Sequence, residues 1–144
     1  MELSRFGLKM KFYHGTTEQR WKEIQMEGIL WGKRNSRSCS YRYTYLSPNI
    51  KVAQKYGGDV ILEVEYNPIG VEKIIGIDNF GFNPPKGQYC WQFSVFVPIN
   101  ISKIRRLKEE EIESTAKKWS LSKCNKKARK YAKAKRIDLQ SQEA

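Results

Sequence analysis

Up to Leu107, every apolar run of this 144-residue chain is cut short by glycine, proline or asparagine, a punctuation that permits only short strands and helices. Met10 to Tyr13 with the following His14 reads as a strand running into Gly15. A helix is predicted next: Thr16 and Gln19 have capping-box spacing, Trp21 and Ile24 share a face, and Gly28 is a C-terminal stop. Residues 29 to 42 read as an exposed cationic loop, and Tyr43 to Leu46 as a second strand. Ser47 is the expected cap of a helix opened by Pro48, carrying Val52, Ala53 and Tyr56 and ended by Gly57-Gly58. Val60 to Tyr66 alternates as a strand that Asn67-Pro68 stops, and a further strand is expected near Val71 to Ile77. After a Gly/Asn/Pro-rich loop from Asp78 to Gly87, Trp91 to Val97 is the last clear strand. It sets Trp91, Phe93, Val95 and Val97 on one face and Gln92, Ser94 and Phe96 on the other. Short strands and helices interleaved in this way predict an α+β domain.

A chain of this length buries roughly two-thirds of its unfolded surface, enough for one core. No stretch is long and apolar enough for a membrane helix, and the N-terminus has no apolar signal core, so a soluble, cytoplasmic protein is expected. Cys39, Cys90 and Cys124 are odd in number with no close pair, which suggests neither a disulfide framework nor a zinc site, and no metal is expected. A monomer is the expected state.

The formal charge of +12 is unevenly spread: residues 115 to 144 hold ten Lys/Arg against two Asp/Glu. The expected organisation is therefore a domain over residues 1 to 114 and a basic tail over 115 to 144, helical or disordered. Lys126, Lys127, Arg129, Lys130, Lys133 and Arg136 suit RNA or DNA phosphates, with Trp119 and Tyr131 as stacking platforms. Basic tails also contact acidic proteins or keep a chain soluble. Arg34, Arg37 and Arg42 in the loop are candidate phosphate ligands, because a guanidinium fork matches phosphate oxygens.

His14, the only histidine, sits at a strand end between Tyr13 and Gly15. A ring nitrogen there can hydrogen-bond a ligand while the glycine lets that ligand approach the backbone. Four segments follow in order: KFYHGT, the helix ending at Gly28-Ile29-Leu30, YTYLSPNIKVAQKYG, and WQFSVFVPINISKI. From about Met10 to Leu107 this arrangement resembles the diphtheria-toxin-like branch of the ADP-ribosyltransferases, which includes the poly(ADP-ribose) polymerases and rifampicin ADP-ribosyltransferases. It also looks like the RNA 2'-phosphotransferases that share the fold. The resemblance implies split antiparallel sheets with short flanking helices, and NAD+ as substrate. It assigns the adenosine ribose to His14 and the nicotinamide amide to the backbone of Gly15 in the His14-Gly15-Thr16 segment, with Tyr13 beside it. It assigns stacking on nicotinamide to Tyr45 and an amide contact to Ser47, with Tyr41 or Tyr43 as the second aromatic.

The third family position departs from the pattern. Where the transferases place a glutamate to bond the nicotinamide-ribose hydroxyl and stabilise the cationic transition state, this chain has Gln92. Glutamine keeps the hydrogen bond and brings no charge. Ser94 could assist positioning, and Glu72 is the fallback carboxylate. The reading favoured is mono-ADP-ribosyl transfer to a macromolecule, nucleic acid or protein, with His14, Tyr45 and Gln92 as the catalytic set, in the setting of a toxin, effector or modification enzyme. The alternatives are an RNA 2'-phosphotransferase-like reaction, and an inactive nucleic-acid-binding or inhibitory protein of the same fold.

Overall fold

The computed structural model describes residues 9–32, 42–74 and 92–143. Its elements in chain order are β1 (Met10–Thr16), α1 (Glu18–Glu27), β2 (Ile29–Leu30), β3 (Thr44–Leu46), α2 (Ile50–Tyr56) and β4 (Val60–Tyr66). Then come β5 (Glu72–Ile74), β6 (Phe93–Val95), β7 (Ile99–Asn100), a single 3-10 turn at Ile101–Lys103, β8 (Ile104–Arg106), α3 (Glu109–Lys118) and α4 (Leu121–Glu143). The strands form three antiparallel sheets, β1-β4-β8, β3-β6-β5 and β2-β7, so the architecture is α+β.

The longest ladder is β1 against β4, from Met10 opposite Tyr66 to Thr16 opposite Val60. That pairing carries β1 through Thr16 and moves the cap of α1 to Thr17, whose hydroxyl accepts from the backbone N–H of Arg20 at 3.1 Å. Gly28 ends α1 with φ of 75°, a left-handed conformation that favours glycine. The expected Ser47 cap of α2 is likewise displaced: Asn49 caps, its side-chain oxygen accepting from Lys51 N–H at 3.0 Å, while the Ser47 hydroxyl accepts from Asn49 N–H at 3.1 Å.

Phe12, Leu62, Val64 and Phe93 centre the main core, and Phe93 meets Phe12 edge to face at 4.9 Å between ring centroids. α4 completes that core. Cys124, Ala128, Tyr131 and Ala134, spaced four, three and three, are buried on one face of it, and Tyr131 stacks on Phe93 at 5.8 Å. Residues 121–143 are thus a docked helix, which takes Tyr131 away from any stacking role at the surface. Trp119 is half-buried, with the Lys51 ammonium 5.1 Å from its ring centroid. Cys124 is disulfide-bonded, which corrects the expectation of unpaired cysteines; Cys39 and Cys90 lie outside the described residues. Among the described residues no helix is long and apolar enough to cross a membrane.

Candidate functional site

A backbone bridge joins the two three-stranded sheets. Tyr13 N–H donates to the Ser47 carbonyl at 2.7 Å and Ser47 N–H donates back to the Tyr13 carbonyl at 3.1 Å, an isolated antiparallel bridge between the middle of β1 and the residue after β3. Antiparallel stepping from this bridge sets His14 opposite Leu46, with the His14 ring reaching the carbonyl of the preceding residue, Tyr45. The imidazole Nδ1 lies 2.8 Å from the Tyr45 carbonyl oxygen. A carbonyl only accepts, so Nδ1 carries the proton and Nε2 is left with a lone pair able to accept from a ligand hydroxyl.

Around this junction lies a cavity of about 340 Å³, lined by Tyr13, His14, Gly15, Tyr45, Ser47 and Gln92, with α2 as the far wall. Its volume is in the range of small-molecule sites. Tyr45 is 38% exposed although it lies within β3, so it is in part accessible from the cavity it lines. Gln92, half-buried just before β6, reaches the same cavity, so three chain segments far apart in sequence converge there. Leu46, Val52, Ala53 and Gly57 supply the apolar part of the lining. The α2 contribution was not anticipated from sequence, where VAQKYGG reads only as a helix and its stop.

Gly15 has a packing role beside the one expected of it. A β-carbon there would run into the Ala53 carbonyl oxygen and, at 2.7 Å, the Gly57 Cα. The missing side chain is what lets β1 pack onto the end of α2, and its backbone alone faces the cavity. Thr16 is buried in the β1 ladder and does not line the cavity, its carbonyl accepting from Gly58 N–H at 3.1 Å. Tyr43 is half-buried outside the lining. Ser94 is fully buried opposite Tyr45 in the β3–β6 ladder, which keeps it from the cavity. Glu72 lies in β5, opposite Val95 of β6.

Arg42 is occupied locally. Its guanidinium sits 4.2 Å over the Trp31 ring and donates to the Gly32 carbonyl at 2.9 Å and the Trp31 carbonyl at 3.2 Å, which commits it to bracing the chain before β3. Tyr41, Arg34 and Arg37 lie outside the described residues. Lys126, Lys127, Arg129, Lys130 and Lys133 line a second, larger groove, and Arg136 does not.

Loss of hydration lowers the His14 pKa below its usual 6.5, outweighing the hydrogen bond to Tyr45 that favours the charged ring, and Arg20 lowers it further. Burial, and then Glu63, raise the Tyr13 phenol. His14 is therefore a neutral hydrogen-bonding group at pH 7. Since the folded ring holds a proton less tightly than the unfolded one, stability falls as pH drops through and below 6.5, and the slope from this residue fades over about one pH unit above it. The thermal midpoint of the wild type should fall faster on acidification below pH 6.5 than that of His14→Gln. Parallel profiles, or an imidazole proton resonance titrating at or above 6.5, would contradict this.

Comparison with known proteins gives no match: no family model, no curated protein and no solved structure matches this chain.

Proposed function

We propose that the cavity binds NAD+ and that the protein is a mono-ADP-ribosyltransferase acting on a macromolecular acceptor. The observation that carries the reading is the convergence of His14, Tyr45 and Gln92 on one cavity, in the roles that the resemblance of KFYHGT, YTYLSP and WQFSVFV to the transferases implies. Two antiparallel three-stranded sheets joined at Tyr13 and Ser47 are compatible with the split-sheet fold of those enzymes.

In this reading the nicotinamide ring stacks on Tyr45, the backbone beside Gly15 holds its amide, and the His14 Nε2 accepts from an adenosine ribose hydroxyl. Gln92 orients the reacting ribose. The bond from C1' of that ribose to the nicotinamide nitrogen breaks with its electron pair going to nicotinamide, the acceptor's nucleophile bonds to C1', and any proton on the attacking atom passes to solvent. The protein's contribution is positioning, desolvation and a resting place for the departing ring. A neutral imidazole suits this anchoring role because no charge needs to be hydrated in the closed site.

Calorimetry with NAD+ tests the first step: uptake by the wild type and a loss of about tenfold or more (1.4 kcal/mol) in Tyr45→Ala and His14→Ala are expected. No heat of binding in the wild type would end the proposal. Incubation with radiolabelled NAD+ and cell extract, followed by separate protease and nuclease digestion, then reports transfer and acceptor class together. Removal of a 2'-phosphate from RNA with NAD+ as acceptor is the second reading. It is favoured by the neutral Gln92 in the glutamate position, and incubation with 2'-phosphorylated RNA separates it from the first.

A further inference from the structure

α4 turns its small-residue face to the core, and this leaves its lysines along one side of β1. Lys9 and Lys11 form the opposite wall to six cations of α4, and the groove between them has a volume of about 700 Å³. Among the described residues no carboxylate lines it. Two described acids stand by its β1 wall, Glu63 at 4.0 Å from the Lys11 ammonium and 3.5 Å from Arg105, and Glu65 opposite Lys11 in the β1–β4 ladder, so two carboxylates stand against eight cations. Eight like charges gathered in a concavity repel one another, a cost that a bound polyanion relieves. Lys127 registers that cost: its ammonium donates to the Lys11 carbonyl at 2.8 Å, and burial followed by Lys11 pulls its pKa down to about 8.

We infer that this groove is the docking track of a single-stranded nucleic acid and that the strand it holds is the acceptor, an assignment that rests on the NAD+ reading of the cavity. A single strand suits the shape, since the cations of α4 share one groove with Lys9 and Lys11 at β1, and a strand can lie along the groove between the two walls. The chemistry selects the backbone. Among the described residues Tyr13 is the one aromatic lining the groove, and Tyr131, the aromatic of α4, is buried, so the described groove offers phosphate contacts without a ladder of stacking platforms. Binding should therefore be insensitive to base sequence and strongly sensitive to salt. Tyr13 also lines the candidate cavity, so a strand lying in the groove passes beside that cavity.

The test uses the full chain and fluorescent strands of about 12 nucleotides, RNA and DNA of the same mixed sequence, without NAD+. Anisotropy should give a log–log salt slope of about −3 or steeper, at ~−0.7 per phosphate neutralised. Lys126→Glu/Lys130→Glu should weaken binding by about a hundredfold, whereas Lys117→Glu/Arg136→Glu, with the same change in net charge at exposed positions outside the groove, should weaken it by less than about fivefold. The RNA to DNA ratio identifies the preferred strand. Equal loss in the two double variants, or competition by polyglutamate as strong as by the unlabelled strand, overturns the assignment. With labelled NAD+ added, label should enter the strand in the wild type and not in Lys126→Glu/Lys130→Glu; label found only on protein refutes the acceptor role. Failure of the cavity reading shows differently, as no uptake of NAD+ while the strand still binds.

Discussion

Truncation after Lys118 is expected to leave a chain that does not fold, and Tyr131→Ala alone to cost about 3–5 kcal/mol, the usual range for emptying a large aromatic site in a core. Tyr131 is fully buried and stacks on Phe93, which itself meets Phe12 of β1, so the removed ring would leave a void spanning α4 and both three-stranded sheets. Cys124, Ala128 and Ala134 are too small to close over it. Thermal unfolding followed by circular dichroism should show the midpoint of Tyr131→Ala lowered by roughly 10 °C or more. A truncated protein that melts cooperatively at the wild-type temperature would show that α4 does not belong to this core. The consequence for function is practical: the basic region cannot be assayed by deletion, because deletion removes part of the core along with the charge. Charge-reversing substitutions at exposed positions separate the two.

The sequence was most legible where side-chain pattern and backbone agree. β4 is found at its expected bounds, Val60–Tyr66, because an alternating apolar run is closed at one end by glycines and at the other by Asn67-Pro68. The end of α1 at Gly28 was legible for the same reason, since the left-handed conformation there favours the residue present. α4 was harder to read because three of its four buried core positions are Cys or Ala. An amphipathic stripe built from small residues carries little hydrophobic signal, and the lysines on the other face dominate the composition.

The candidate site divides along the same line. His14, Tyr45 and Gln92 could be singled out because the segments KFYHGT, YTYLSP and WQFSVFV resemble transferase motifs, and all three line the cavity. What brings them together is a pair of backbone hydrogen bonds between Tyr13 and Ser47, and backbone pairing leaves no trace in side-chain type. Gly15 was noticed for a real property but only one use of it was legible, since the absence of a side chain also admits the neighbouring end of α2. Arg42 carries the charge that a phosphate would want, but Trp31, eleven residues upstream, takes it first. The groove joins Lys9 and Lys11 to residues more than a hundred positions later, a pairing that no local window can see.

Gln92→Glu should accelerate ADP-ribosyl transfer by about tenfold or more if the proposed chemistry is correct, an effect of the size that single electrostatic contacts to a transition state supply. As the bond to nicotinamide stretches, positive charge develops on the ribose, and a carboxylate at this half-buried position would oppose it, where the present amide offers only its dipole. The gain should fall on kcat, with KM for NAD+ little changed, because the ground-state hydrogen bond to the ribose hydroxyl is available to either side chain. An ion pair does not offset the new charge: among the described residues the cavity lining contains no Lys or Arg, so the carboxylate would face the sugar. Its burial carries a cost in stability, and a melt recorded beside the kinetics separates that cost from the chemistry. A rate left unchanged, with transfer otherwise intact, would mean that residue 92 does not face the reacting carbon. A faster transfer accompanied by loss of 2'-phosphate removal would instead show that the amide is retained for a reaction in which a fixed negative charge beside the incoming phosphate is unfavourable.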